Sequence, residues 1–150
     1  MSVELDGEER ILAPIDKVWA SLNDPEVLRG CIPGCESLEL SSPTKMVAVV
    51  TVKIGPIKAR FNGEVTLTNI NAPSTLTING EGKGGLAGFA KGGADVELKS
   101  ESDDVTILHY VVKANVGGKL AQLGSRLIVS TSKKLSGEFF TNLNRRIGSS

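Results

Sequence analysis

The chain has 150 residues, a length that predicts one domain able to bury a sizeable core without disulfides or metals. Its 17 Lys and Arg balance 17 Asp and Glu, and this formal net charge of zero argues against a nucleic-acid-binding protein. A hydrophobic content of 40% argues against disorder, and an aromatic content of only 4% predicts a core of aliphatic side chains.

The N-terminal residues and the cysteines indicate the cellular compartment. The chain opens on an acidic segment without the apolar stretch of a secretory signal, and no apolar run is long enough to span a bilayer. In that context Cys31 and Cys35 are expected to be reduced thiols. We therefore expect a cytoplasmic protein.

The first elements are a strand and two short helices. Residues 3–11 alternate between two faces, which predicts a half-buried strand that ends before Pro14. Apolar residues at helical spacing predict a helix over residues 15–23. Asp24 then caps a second helix over residues 25–30.

The middle of the chain has the pattern of an antiparallel meander. Alternating runs separated by turn residues continue from residue 36 to residue 115, with no sustained helical period. The expected strands cover residues 36–41, 44–54, 57–70, 74–84, 87–101 and 104–116. With the first strand, these make a sheet of about seven strands.

The last part of the chain predicts one long helix. After Gly117 and Gly118, apolar residues recur every three or four positions from Lys119 to Ile147. Such a helix would be about 40 Å long. The sequence thus predicts a single α+β domain over residues 1–150, with a curved antiparallel sheet packed against a long C-terminal helix.

Several motifs give weak signals for chemistry. The glycine-rich segment 80–93 formally contains GxGxxG, but alternating residues and further glycines follow it instead of the helix that a dinucleotide site requires. Its glycines are therefore expected to bend strands or leave room for a ligand. Cys31 and Cys35 fit neither a zinc site nor a redox CxxC pair, and the single His109 is far from both. No metal or cofactor is predicted, and acidic pairs such as Glu8-Glu9 are interpreted as solvated charge.

The neutral total hides a charge asymmetry. Residues 113–150 hold seven Lys or Arg and one Glu, a net charge of +6, so residues 1–112 carry −6. Lys119, Arg126 and Lys133 are seven residues apart and would share one flank of the predicted helix. This flank could contact anionic lipid headgroups or an acidic partner, or it could be a solvated face balanced by strand carboxylates.

Several short motifs carry a family resemblance that covers nearly the whole chain. They are LNDP (22–25), CIPGCE (31–36), GPI (55–57), GKGG (82–85), TILHY (106–110), GG (117–118) and LAQLG (120–124). With these motifs the sequence resembles the CoxG family of carbon monoxide dehydrogenase subunits, within the START-like (SRPBCC) helix-grip superfamily. The resemblance implies a sheet gripping the long helix, an apolar cavity between them, and two short helices that close one end.

The resemblance also implies a function. Members are non-catalytic accessory proteins of a carbon monoxide dehydrogenase-type molybdenum hydroxylase, and the superfamily binds hydrophobic molecules. We expect a quinone or a lipid in the cavity, molybdenum hydroxylase subunits as partners, and a link to the membrane or the quinone pool. Longer members continue into a hydrophobic tail whereas this sequence ends at Ser150, so any contact with an anionic membrane is expected to be peripheral.

Strand parity and helix phase assign residues to the expected cavity, with Tyr110 and Thr131 as hydrogen-bonding groups for the head of the ligand. The assigned residues are Trp19, Leu28, Ile32, Phe61, Phe89, Leu108, Tyr110, Leu123, Leu127 and Thr131. A polyketide cyclase or dehydratase remains an alternative, although the inferred inward faces carry no cluster of His, Asp or Glu. A structural adaptor with a solid interior is a further alternative.

Overall fold

The computed structural model describes residues 1–148 and confirms the α+β helix-grip architecture. The strands are β1 (Ser2–Ile11), β2 (Cys35–Ser42), β3 (Lys45–Ile54), β4 (Ile57–Asn71), β5 (Thr75–Lys83), β6 (Phe89–Ser102) and β7 (Val105–Gly117). The helices are α1 (Ile15–Leu22), α2 (Pro25–Cys31) and α3 (Ser125–Ile147). Within the described residues the strands form one antiparallel sheet in the order β1-β7-β6-β5-β4-β3-β2.

The predicted long helix begins later than its sequence pattern suggests. Gly118–Leu123 forms a 3-10 segment, and α3 starts only at Ser125. Gly124 separates the two with a φ of 88°, a left-handed conformation that a right-handed helix cannot contain. The prediction of helix over residues 119–124 is therefore wrong, and the apolar spacing there reflects packing of the 3-10 turns.

The alternation of apolar and polar residues that predicted the strands also determines which face of the sheet is buried. On β3, Met46 and Ala48 are buried while Val47 is exposed, and on β7, Thr106 and Leu108 are buried. Side chains alternate strictly between the two faces of a strand, so the concave face collects the apolar set. The other face carries most of the charged residues.

A glycine turn joins α2 to the sheet. Gly34 has a φ of 77°, and a side chain there would overlap the backbone carbonyl of Thr51. The close approach allows the Thr51 N–H to donate to the Gly34 carbonyl over 2.9 Å. The Pro33-Gly34 pair thereby fixes the end of α2 against β3, beside the space between the sheet and α3.

Two clusters of buried side chains hold α3 on the concave face. The first lies under its C-terminal half and includes Phe140, Leu143 and Ile147. The second lies at its beginning and includes Leu120 and Ile128. No helix within residues 1–148 is both long enough and apolar enough to cross a bilayer.

A buried hydrogen bond joins β7 to the segment before α1. Thr106 is fully buried, and its Oγ1 donates to the Ala13 carbonyl over 2.8 Å. Thr106→Val leaves that carbonyl without its donor, so we expect the free energy of unfolding to fall by about 1–3 kcal/mol in urea titrations. Thr141→Val, at an exposed position of α3, is the control and should change stability by less than about 0.5 kcal/mol. Equal stabilities for the two variants would contradict the assigned role of Thr106.

Candidate functional site

A cavity of about 360 Å³ lies between the concave face of the sheet and the helices. Its walls come from the end of α1, from α2, from the C-terminal half of α3 and from strands β2 to β7. The lining residues are Leu22, Leu28, Ile32, Pro33, Leu38, Met46, Val65, Leu67, Ile78, Ala94, Val96, Leu108, Tyr110, Val112, Leu135, Ser136, Phe139 and Phe140. A volume of this size matches the lower part of the range for small-molecule sites.

The walls of the cavity are almost entirely hydrocarbon. Among its lining side chains, which all belong to the described residues, only Tyr110 and Ser136 carry a polar group. The Ser136 hydroxyl donates to the Ser132 carbonyl of its own helix over 2.9 Å. The Tyr110 hydroxyl is therefore the one lining donor that is not already committed to the protein.

Tyr110 packs against an aromatic ring, and its hydroxyl occupies the space that a side chain at Gly7 would fill. Its ring stacks on Phe140 with centroids 5.4 Å apart and an interplanar angle of 20°. Gly7 lies directly opposite on β1, and a Cβ there would overlap the Tyr110 hydroxyl. Within residues 1–148 this hydroxyl has no hydrogen-bond partner, and it is not sealed from solvent.

A carboxyl group lies near this tyrosine. The sequence interpretation treated Glu8-Glu9 as solvated, but only Glu8 is exposed; Glu9 is half-buried. Burial raises the pKa of the Glu9 carboxyl above its ordinary value. The alternation of β1 already contained this signal, because Glu9 shares a face with Gly7 and Ile11.

The environment of Tyr110 makes a titration prediction possible. Burial raises the pKa of the phenol, and the carboxylates of Glu9 and Asp6 raise it further. Because Tyr110 is the only tyrosine, the ultraviolet absorbance of phenolate reports on it alone. We expect a midpoint above 10, the ordinary value, and a lower midpoint in Glu9→Gln.

Glu8→Gln is the matched control, since its side chain is exposed and it does not contribute to the Tyr110 shift. It should leave the phenolate midpoint unchanged. The folded state retains the proton that the unfolded chain loses at about pH 10, so folding stability should also fall as the pH rises above that value. A midpoint that Glu8→Gln and Glu9→Gln lower equally would refute the placement of Glu9.

Comparison with known proteins identifies the family. Residues 7–148 match the model of the CoxG family of carbon monoxide dehydrogenase subunits. The chain belongs to the CoxG family. A conserved protein from Geobacillus kaustophilus is similar over 97% of this chain and 95% of its own, with 31% identity and a TM-score of 0.91. No curated protein matched the chain in sequence.

More distant structures share the fold of this CoxG-family chain. A START superfamily protein from Mycobacterium smegmatis has 12% identity and a TM-score of 0.73, and the match covers 96% of each chain. The Zhui aromatase/cyclase from Streptomyces sp. R1128 has 11% identity and a TM-score of 0.72, over 98% of this chain and 94% of its own. At such identities the likeness establishes the START-like fold and nothing about activity.

Four of the residues assigned from the sequence lie together around the cavity of the CoxG-family chain. They are Leu28, Ile32, Leu108 and Tyr110. Trp19 does not line the cavity but packs against the first core cluster. Strand parity assigned the β7 pair and helix phase assigned the other two residues, and both patterns depend on local sequence.

The remaining five assigned residues lie elsewhere. Phe61 and Leu123 pack against the second core cluster, and Phe89 is 45% exposed. Leu127 touches the Gly55 turn, and the half-buried Thr131 is outside the cavity lining.

The α3 residues in the lining are Leu135, Ser136, Phe139 and Phe140, about two turns beyond the assigned ones. The second cluster explains this displacement, since its side chains fill the space under the first turns of the helix. The apolar spacing of Leu135 and Phe139 was visible in the sequence, but spacing alone cannot locate a cavity along a helix.

The predicted basic flank is also rearranged. Lys119 belongs to the 3-10 segment, so only Arg126 and Lys133 share α3. All three side chains are exposed. The displaced start of the helix thus divides a row that the sequence pattern had treated as continuous.

The two cysteines lie beside α2 as free thiols. Cys31 is buried and Cys35 is half-buried, and burial raises the pKa of both. A raised pKa keeps the thiol protonated and poorly nucleophilic. The geometry therefore favours a packing role for the CIPGC motif.

Proposed function

We propose that this CoxG-family chain is a non-catalytic accessory protein that binds a quinone or a lipid in its cavity. The observation that carries the proposal is an apolar cavity of about 360 Å³ with one uncommitted hydroxyl, that of Tyr110. Apolar walls supply affinity for a hydrophobic body, and a single polar group orients its head. A quinone carbonyl or a lipid ester would accept the Tyr110 hydrogen bond.

Family membership supports the choice of partner. Carbon monoxide dehydrogenase is named by the family itself, so we propose that the chain serves a molybdenum hydroxylase of that type and links it to the membrane or the quinone pool. A tagged chain should retain those hydroxylase subunits when both are produced together. Failure to retain them under low-salt conditions would contradict the accessory role.

A cyclase or dehydratase is the second candidate. It is favoured by Glu9, whose raised pKa suits a general acid near Tyr110, and by the shared fold of an aromatase/cyclase. Glu9 is not among the residues that line the cavity, and those lining residues include no carboxyl or imidazole group. The carrier is therefore the better supported hypothesis, and the cavity itself argues against a solid-core adaptor.

Mass spectrometry of an organic extract tests the carrier proposal. Protein purified without detergent should release a quinone or a lipid in near-stoichiometric amount. Ala94→Phe, which fills the cavity, should reduce that amount, whereas Ala90→Phe is the control on the same strand beside the second cluster. The proposal would be overturned if folded wild-type protein released no quinone or lipid and Ala94→Phe gave the same empty extract.

A further inference from the structure

One end of the sheet gathers segments that are distant in sequence. The β3–β4 turn, the β5–β6 connection and the 3-10 segment after β7 all lie there, because neighbouring strands are antiparallel. Contacts confirm the grouping: Gly118 touches Gly88, Phe89 covers Gly117, and Leu127 of α3 reaches Gly55. We call residues 53–58, 83–89 and 117–126 together the basic end.

The basic end carries cations without anions. Its three segments contain no Asp or Glu and five basic residues, namely Lys53, Lys58, Lys83, Lys119 and Arg126. All five side chains are exposed. Lys83 has a long ion pair of 4.0 Å with Glu81, and within the described part of the chain the other four have none. The charge is thus available to an anionic partner.

An apolar side chain projects from the centre of this charge. Leu86 is 86% exposed, whereas the other exposed large apolar residues of the described chain range from 37% to 51%. It sits on a single 3-10 turn, Gly85–Ala87, flanked by glycines with positive φ at Gly85 and Gly88. Phe89 follows at 45% exposure, and Lys83 lies opposite it on β5.

We propose that the basic end is a docking surface for an anionic phospholipid bilayer. Leu86 and Phe89 enter the interfacial region, and the surrounding Lys and Arg side chains contact the lipid phosphates. The combination of cations with an exposed apolar side chain favours a bilayer as the partner. Cations alone could bind any polyanion. An exposed leucine on a narrow turn, however, would bury little apolar surface against a flat acidic protein and more in lipid hydrocarbon. This surface deepens the proposed membrane link and rests on it.

The docking surface differs from the helix flank expected from the sequence. Lys119 and Arg126 belong to it, but Lys133 lies two turns further along α3, about 10 Å from Arg126 along the axis. A substitution of Lys133 therefore distinguishes binding through the docking surface from binding through the helix flank. Only a helix-flank contact would be weakened by Lys133→Glu.

Vesicle sedimentation tests the docking surface with the whole chain. Wild-type protein should bind vesicles of phosphatidylcholine and phosphatidylglycerol and leave phosphatidylcholine vesicles unbound, with affinity falling as salt rises. Leu86→Asp and Lys53→Glu with Lys58→Glu should each weaken binding about tenfold or more. Ile70→Asp, at an exposed apolar position on the opposite end, and Lys133→Glu should bind like wild type.

The outcomes separate this proposal from that of the cavity. Leu86→Asp should retain the extractable ligand, because Leu86 does not line the cavity. An empty cavity with intact vesicle binding would refute the carrier and leave the docking surface standing. The docking surface would be overturned if wild-type protein bound an acidic protein but not anionic vesicles. It would also be overturned if Leu86→Asp and Ile70→Asp weakened vesicle binding equally.

Discussion

Leu143→Ala should lower the free energy of unfolding by about 2–5 kcal/mol. Leu143 is fully buried on α3, in the cluster that joins the C-terminal half of the helix to the sheet. Removing its branched side chain loses the transfer free energy of the deleted methyl groups and leaves a void in a close-packed region. This helix segment also covers the cavity, so the loss affects both stability and the site.

The single tryptophan gives a direct measurement. Trp19 packs against the same cluster, so its fluorescence in a urea titration follows the structure that Leu143 supports. Leu86→Ala removes an identical side chain from an exposed position and should shift stability by less than about 0.5 kcal/mol. A Leu143→Ala protein as stable as that control would show that α3 does not pack as described.

Leu135→Asp should weaken ligand binding about tenfold or more, while Leu127→Asp should preserve it. Both residues are half-buried on α3, but only Leu135 lines the cavity. An aspartate is too short to extend its carboxylate to solvent as an arginine would, so it places an unpaired charge against hydrocarbon and its ligand. Both substitutions remove the same side chain from α3. Leu127 lies in the first turn, where an aspartate costs the helix less than it does at position 135, so the folded fraction of each variant has to be compared.

Quenching of Trp19 fluorescence by decylubiquinone is a convenient measure of binding. We expect the dissociation constant to rise about tenfold or more in Leu135→Asp, equivalent to about 1.4 kcal/mol, and to change little in Leu127→Asp. Circular dichroism should first establish that both variants are folded. The reverse pattern would place the ligand under the first turns of α3, where sequence reasoning had put it.

The contrast between Leu127 and Leu135 illustrates what the sequence could and could not predict. Helical spacing identified α3 and its inward face, because amphipathicity is a property of consecutive residues. Strand parity likewise assigned Leu108 and Tyr110, and both residues line the cavity of the structure. The position of the cavity along the helix depends on which opposing side chains fill the space, and that is a tertiary property.

Gly124 and Glu9 show two different limits. A glycine at position 124 is compatible with helix or break, and only its φ of 88° decides that α3 begins at Ser125. Glu9 was on the inward side of an alternating strand, but its charge favoured a solvated interpretation. The structure shows that a strand at the sheet edge, partly under α3, leaves such a carboxyl half-buried.

The pairing of β1 with β7 has a consequence for how the chain folds. Ser2 lies opposite Asn115, so the first strand cannot find its partner until most of the sequence has been synthesised. Pairing residues so far apart in sequence costs a large loss of chain entropy before the hydrogen bonds and contacts of the pair can form. Topologies of this kind fold slowly. During translation, therefore, β1 leaves the ribosome with an unpaired edge and completes the sheet only after β7 has followed it.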